Sequence, residues 1–237
     1  MTARRWAGAG GGALAVAIAV GCSPNSTVGV LGNGQFRYLC GTSGTDSACD
    51  GIASDTDLPA AIAVGATFDV GYAPNSSNHS GATVQGATGY EILAASPELA
   101  AATGTTLRAL RTGYVALLAQ RTGNANVDDF VHLRFEDIQS LSAEPPSLVL
   151  TPGETQTVRL SAFDALSAPL AGRIACEWTA TSGASNAVVT AIAPGASATV
   201  QGVAGGAATV HATCGAAGLD VTVTVSGPPL ADGGTHG

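Results

Sequence analysis

At 237 residues the chain is long enough for one or two domains that each bury a core of their own. Its nine basic residues, all Arg, face 17 Asp and Glu, and the net charge of −8 repels phosphate backbones and argues against nucleic-acid binding. Gly, Ala, Thr, Ser and Val dominate, a bias that fits β-structure and equally fits a GC-rich genome.

The N-terminus opens with Arg4 and Arg5, followed by an uncharged Ala/Gly/Val/Ile stretch from Ala7 to Val20. This is the pattern of a secretory signal, with an apolar run too short for a comfortable membrane-spanning helix. The run ends in Ala19-Val20-Gly21-Cys22, which resembles the bacterial lipobox, with Ala19 where Leu is usual. The resemblance implies that residues 1–21 are a cleaved signal peptide. It also implies that Cys22 becomes the acylated N-terminus, so that the partner is a membrane held through acyl chains. A plain secretory signal with a chance Cys is the alternative. Cleavage removes two of the nine Arg and no acid, leaving seven against 17 and a formal charge of −10. Ser23 after the Cys resembles an outer-membrane sorting signal.

Residues 22–34, rich in Ser, Asn and Gly, read as a flexible tether. Four cysteines remain beyond Cys22, namely Cys40, Cys49, Cys176 and Cys214. An even number in an exported chain reads as two disulfides with three possible connectivities. No spacing resembles a zinc site, and no cofactor is expected. Phe36, Tyr38 and Cys40 read as an N-terminal strand. Glu144-Pro145-Pro146 is the clearest boundary, because consecutive prolines cannot continue a central strand. The expected division is 35–140, a linker over 141–146, 147–226, and a disordered tail over 227–237.

The second block alternates throughout. Val158, Leu160 and Ala162 share one face, as do Ile174, Cys176 and Trp178, then Ala208, Val210, Ala212 and Cys214. Leu219, Val221, Val223 and Val225 point inward on the last strand. Three features of this block are similar to a bacterial Ig-like domain of group 2. These are Thr151-Pro152-Gly153-Glu154-Thr155 opening a strand, Asp164-Ala165 with Trp178, and the run Val200-Gln201-Gly202-Val203-Ala204-Gly205-Gly206-Ala207-Ala208-Thr209-Val210. The resemblance implies an Ig-type sandwich in which the strands carrying Cys176 and Cys214 are antiparallel neighbours, so that these two can bridge. Cys40 and Cys49 would then close an eight-residue surface loop.

The first block reads as a diverged copy. Leu110 to Ala119 aligns with Val203 to Ala212 at a constant offset of 93, with Gly113 on Gly206. Gly65 to Val70 resembles Gly153 to Val158. The expected fold is all-β, two tandem Ig-like sandwiches behind a cleaved lipoprotein signal.

No catalytic motif is present: there is no Gly-x-Ser-x-Gly, no His-Glu-x-x-His and no phosphate loop between strand and helix. His132 and His211 alternate outward among polar neighbours, and His236 is in the tail. Asp46, Asp50, Asp55 and Asp57 offer hard oxygen ligands that suit Ca²⁺, but their spacing is not that of an EF-hand and Asp equally caps turns. Asp128-Asp129 reads as a turn on the same grounds. Loops around Asn75, Asn78 and His79, and around residues 42–57, are the candidate binding surfaces. The function expected is non-enzymatic: an envelope lipoprotein presenting Ig-like domains for adhesion, spacing, or protein or glycan binding. A structural subunit of a secretion or motility assembly is the alternative.

Overall fold

Alternation of apolar and polar side chains puts one face of each segment in the core and the other in water, which is the condition for a half-buried strand. The computed structural model describes residues 27–40, 46–49, 56–75, 89–192 and 195–227, and there the chain is all-β. Strands of the first half are β1 (Gly34–Tyr38), β2 (Ile62–Ala63), β3 (Thr67–Pro74), β4 (Tyr90–Ala94), β5 (Ala100–Thr103), β6 (Thr106–Ala109), β7 (Gly113–Arg121) and β8 (Val127–Glu136). They form two four-stranded sheets, ordered β1-β3-β6-β5 and β2-β8-β7-β4. Every pairing is antiparallel except β2 with β8.

The second half contains β9 (Ser140–Glu144), β10 (Ser147–Leu150), β11 (Thr155–Phe163), β12 (Pro169–Leu170), β13 (Cys176–Ser182), β14 (Ala187–Ile192), β15 (Ser197–Gly202), β16 (Gly206–Cys214) and β17 (Ala217–Val225). One sheet is ordered β12-β11-β15-β14 with β9 also on β11, and the other is β10-β17-β16-β13. Here too the short strand is parallel to the last one, β10 beside β17. The order of the first half therefore recurs, strand for strand, in the second. The 93-residue offset read in the sequence is the register of this recurrence. Gly113 and Gly206 each open the penultimate strand, with φ of 141° and 146°.

Each half buries its apolar face, and the buried side chains of the two form one continuous cluster. Phe36, Tyr38, Phe68 and Phe135 are fully buried in the first, and the Phe68 and Phe135 rings meet edge-on at 5.9 Å across the two sheets. Val158, Val200, Val210 and Val221 fill the second. Burying such side chains stabilises by about 1.5–3 kcal/mol each. The Trp178 indole N–H is buried and donates to the Gly195 carbonyl at 2.7 Å. Cys176 and Cys214 are directly opposite in the β13–β16 ladder, Cα to Cα 4.3 Å, and are disulfide-bonded, as are Cys40 and Cys49.

Two segments differ from the sequence expectation. Most of 141–146, expected as a linker, is strand: β9 pairs with β11 from Phe163↔Ser140 to Arg159↔Glu144. Proline has no N–H, so the ladder stops at Pro145, and the chain crosses to the opposite sheet as β10. The Glu144–Pro145 peptide is cis. Of 22–34, expected as a flexible tether, the described part from Thr27 onward is a hydrogen-bonded turn: Val30 N–H donates to Phe130 O and Gly32 N–H to Gly29 O. Composition suggests a linker, but a buried acceptor described below holds this one in place. The tail beyond Gly227 lies outside the described residues.

Candidate functional site

The carboxylates picked out as calcium ligands do not act together where they are described. Asp46 is buried, and its oxygens accept from the Tyr38 hydroxyl, from Ala48 N–H at 3.0 Å and from Gly172 N–H at 3.0 Å. Asp57 is exposed and pairs with Arg37 at 3.1 Å. Asp50 and Asp55 lie outside the described residues. Among the described residues, no group of three or more His, Cys, Asp or Glu is placed to hold a metal ion.

Asp46 belongs instead to a seam between the two halves. The segment between β11 and β13 reaches back onto the first half, where Ala171 bridges Ile62 and Arg173 bridges Thr67 through backbone hydrogen bonds of 2.8–3.1 Å. Arg173 Nη1 also pairs with Asp69 Oδ2 at 2.6 Å, and Ser47 Oγ donates to Leu170 O. On another side Arg134 of β8 pairs with Asp164 at 3.0 Å. Asp164 accepts from the N–H groups of Ala168 and Leu166, and these bonds with Arg134 hold its carboxyl below the usual range. At Gly172 the halves approach so closely that a Cβ would stand 2.7 Å from the Cβ of Ala66, at a φ of 107° that L side chains rarely adopt.

The seam predicts a graded response. Arg173→Ala strips a mostly buried partner from Asp69 and is expected to lower stability by roughly 1–2 kcal/mol in urea unfolding. Arg37→Ala, on the exposed pair with Asp57, is expected to change it by no more than about 0.5 kcal/mol. Equal effects would mean that the seam pair is solvated like the surface one.

The opposite end of the first half carries another buried carboxylate. Asp129 lies within β8, not in a turn, and is fully buried. Its Oδ1 accepts from Leu31 N–H at 2.8 Å and its Oδ2 from Asn33 N–H at 2.8 Å and Gly34 N–H at 3.1 Å. Gly29 lies against the same carboxylate, where any side chain would collide with it. Its neighbour Asp128 faces out, accepting from Tyr90 Oη at 2.6 Å and Arg121 Nε at 2.9 Å, and both bonds hold its carboxyl below the usual range. Alternation along β8 is the signal that separates the two: Asp129 shares the buried face with Val131, Leu133 and Phe135.

Among the candidate loop residues, Asn75 is committed to structure: its N–H donates to Asn33 O at 2.7 Å and its Nδ2 to Gly32 O at 2.9 Å. Asn78 and His79 lie outside the described residues. His211 Nδ1 is 2.6 Å from Asp220 Oδ1 across the β16–β17 ladder, an exposed pair.

Burial pushes the Tyr38 and Tyr72 hydroxyls well above the ordinary phenol range, with Asp46 adding to the first and Asp129 to the second. A group raised on folding contributes stability that is complete below its unfolded pKa and is lost as pH rises. The window therefore opens near the unfolded value of about 10, above which stability is expected to fall by roughly 1.4 kcal/mol per pH unit for each tyrosine. Tyr38→Phe should remove one such contribution to the slope. An unchanged slope in alkaline titration of the unfolding free energy would show that Tyr38 ionises in the folded state as freely as in the unfolded chain.

No family model and no curated protein matches the chain. Among solved structures it is similar to domains 4 and 5 of the S-layer protein SbsC, at 14% identity over 70% of this chain and 91% of that one, with a TM-score of 0.35. It is also similar to FdeC, an Escherichia coli adhesin, at 20% identity over 70% and 60% with a TM-score of 0.35. A third is the endo-fucoidan hydrolase MfFcnA4, at 18% identity over 72% and 28% with a TM-score of 0.31. The chain spans 24% of the longer SbsC structure, residues 31–844. The three differ in function, and such likeness assigns none to this chain.

Proposed function

We propose that this protein is a non-enzymatic lipoprotein of the bacterial cell envelope, anchored through acyl chains on Cys22. In this reading the four sheets are two tandem Ig-like sandwiches that serve as a rigid spacer or presentation module. The observation that carries it is the seam. Backbone bridges at Ala171 and Arg173 and the ion pairs Arg173–Asp69 and Arg134–Asp164 fasten one half to the other. Fastened modules hold a distance and an orientation, as a spacer requires. Two disulfides agree with an oxidising compartment.

The test has two parts. Mass spectrometry of the mature N-terminal peptide is expected to show diacylglycerol on Cys22, and its absence removes the anchor. Small-angle scattering of the wild type is expected to fit one rigid particle, while a chain altered at both Arg173 and Gly172 broadens. Indistinguishable profiles would remove the spacer role.

A structural subunit of an envelope assembly is the second reading. It is favoured by Tyr114 and Leu166, both well exposed, beside the Arg134–Asp164 pair that crosses the seam. Capture of a defined neighbour by cross-linking from Tyr114, lost in Leu166→Asp, would support it.

A further inference from the structure

The end of the first half where the N-terminus enters is unusual in an acidic chain. From Cys22 to Phe36 the sequence carries no Asp, Glu, Lys or Arg, and neither does the sequence from Asn75 to Gly89 or from Thr122 to Val127. These segments converge: Asn75 N–H donates to Asn33 O, Thr122 N–H to Gly89 O, and Asn33 Nδ2 to Asp128 O. The charges nearest this junction, Arg121 and Asp128, pair with each other, and Asp129 is buried beneath the turn.

The turn itself is apolar and turned outward. Val28, Val30 and Leu31 are 47%, 58% and 54% exposed, and Val127, next in sequence to the Asp128 whose carbonyl accepts from Asn33 Nδ2, is 40% exposed. Such side chains in water need a reason when they cluster. Asp129 holds the backbone of Leu31, Asn33 and Gly34 and so fixes the direction in which the cluster faces.

We infer that this turn rests on the lipid surface, so that the first half is seated on the bilayer in a fixed orientation. The inference rests on the anchor at Cys22 proposed above and goes beyond it. Only four residues, Ser23 to Ser26, separate that cysteine from Thr27, where the hydrogen-bonded turn begins. Even fully extended they reach about 17 Å, of which the headgroup layer takes up roughly 5–8 Å. Acyl chains in the membrane therefore keep Thr27 within about 10 Å of its surface, near enough for Val30 and Leu31 to seat on it, and an uncharged, apolar face meets no electrostatic penalty there. The candidate loop that begins at Asn75 leaves from this membrane-facing end, and a partner that approaches from solution meets the second half first.

Tryptophan reports on this directly, because the chain without residues 1–21 retains only the buried Trp178. The acylated full chain is reconstituted in phosphatidylethanolamine–phosphatidylglycerol vesicles with brominated acyl chains. Leu31→Trp is expected to add a component that is quenched several-fold more than in Val149→Trp, whose site is exposed on β10 of the second half. Val30→Asp in the Leu31→Trp background should abolish the difference. Equal quenching at positions 31 and 149, with diacylglycerol present by mass, overturns the seating and leaves the anchor intact. A missing diacylglycerol overturns both. A detergent-stable dimer that Val30→Asp dissolves would give the patch to a second copy and overturn the lipid contact.

Discussion

Replacing Cys176 and Cys214 together by alanine is expected to lower the unfolding free energy by about 4 kcal/mol. The bridge joins residues 38 apart in sequence, and the chain-entropy model gives a loss of that size for a loop of such length. It sits where β13 begins and β16 ends, so it also fixes the register of the sheet that carries Trp178. The Cys40–Cys49 bridge spans only 9 residues, and its removal should cost about 2.5 kcal/mol on the same model. Denaturant unfolding of the two double variants measures both. A loss below about 1 kcal/mol for the 176–214 pair would show that the sandwich core holds the register without help.

In Asp129→Ala, three backbone N–H groups of the 31–34 segment lose a buried, charged acceptor at once. Hydrogen bonds to a charged group contribute about 1.5–3 kcal/mol each and are not additive, so a loss of about 3–5 kcal/mol is expected. Asp129→Asn should fall close to alanine, because an amide places its NH₂ against donors where the carboxylate had a second acceptor. Hydrogen exchange separates local from global effects: the amides of Leu31, Asn33 and Gly34 should lose protection before those of β3 and β7 do. Protection that survives in Asp129→Ala would mean that Val30 N–H to Phe130 O and the packing of Gly29 hold the turn by themselves.

These two devices act at the two places that matter for the proposed role. Asp129 determines how the first half leaves the anchor, and the seam determines how the second half leaves the first. The double proline contributes to this: it moves the chain from one sheet of the second half to the other instead of spacing two free bodies.

Much of the fold was visible in the residues taken alone. A period of two marked the segments that form β11, β13, β16 and β17, because a strand must show alternate side chains to core and water. The positions at Val158, Leu160 and Ala162 and at Ala208, Val210, Ala212 and Cys214 are buried as that alternation requires. The offset that carries Gly113 onto Gly206 held because both open equivalent strands with a positive φ. Local chemistry was enough for these. What composition could not weigh was any contact between residues far apart in sequence. Asp46 and Asp129 look like turn-forming acids in the sequence, yet each is buried because a donor set arrives from elsewhere: Gly172 from 126 positions away and Leu31 from 98. A Ser, Asn and Gly-rich stretch reads as a tether until an acceptor beneath it takes its N–H groups, and a proline pair reads as a break until a second sheet offers the next strand a partner. Strand and face follow from spacing, because the alternation of one strand is local. Whether two modules hang free or stand fixed follows from buried carboxylates meeting distant backbone donors, and only the folded chain brings those together.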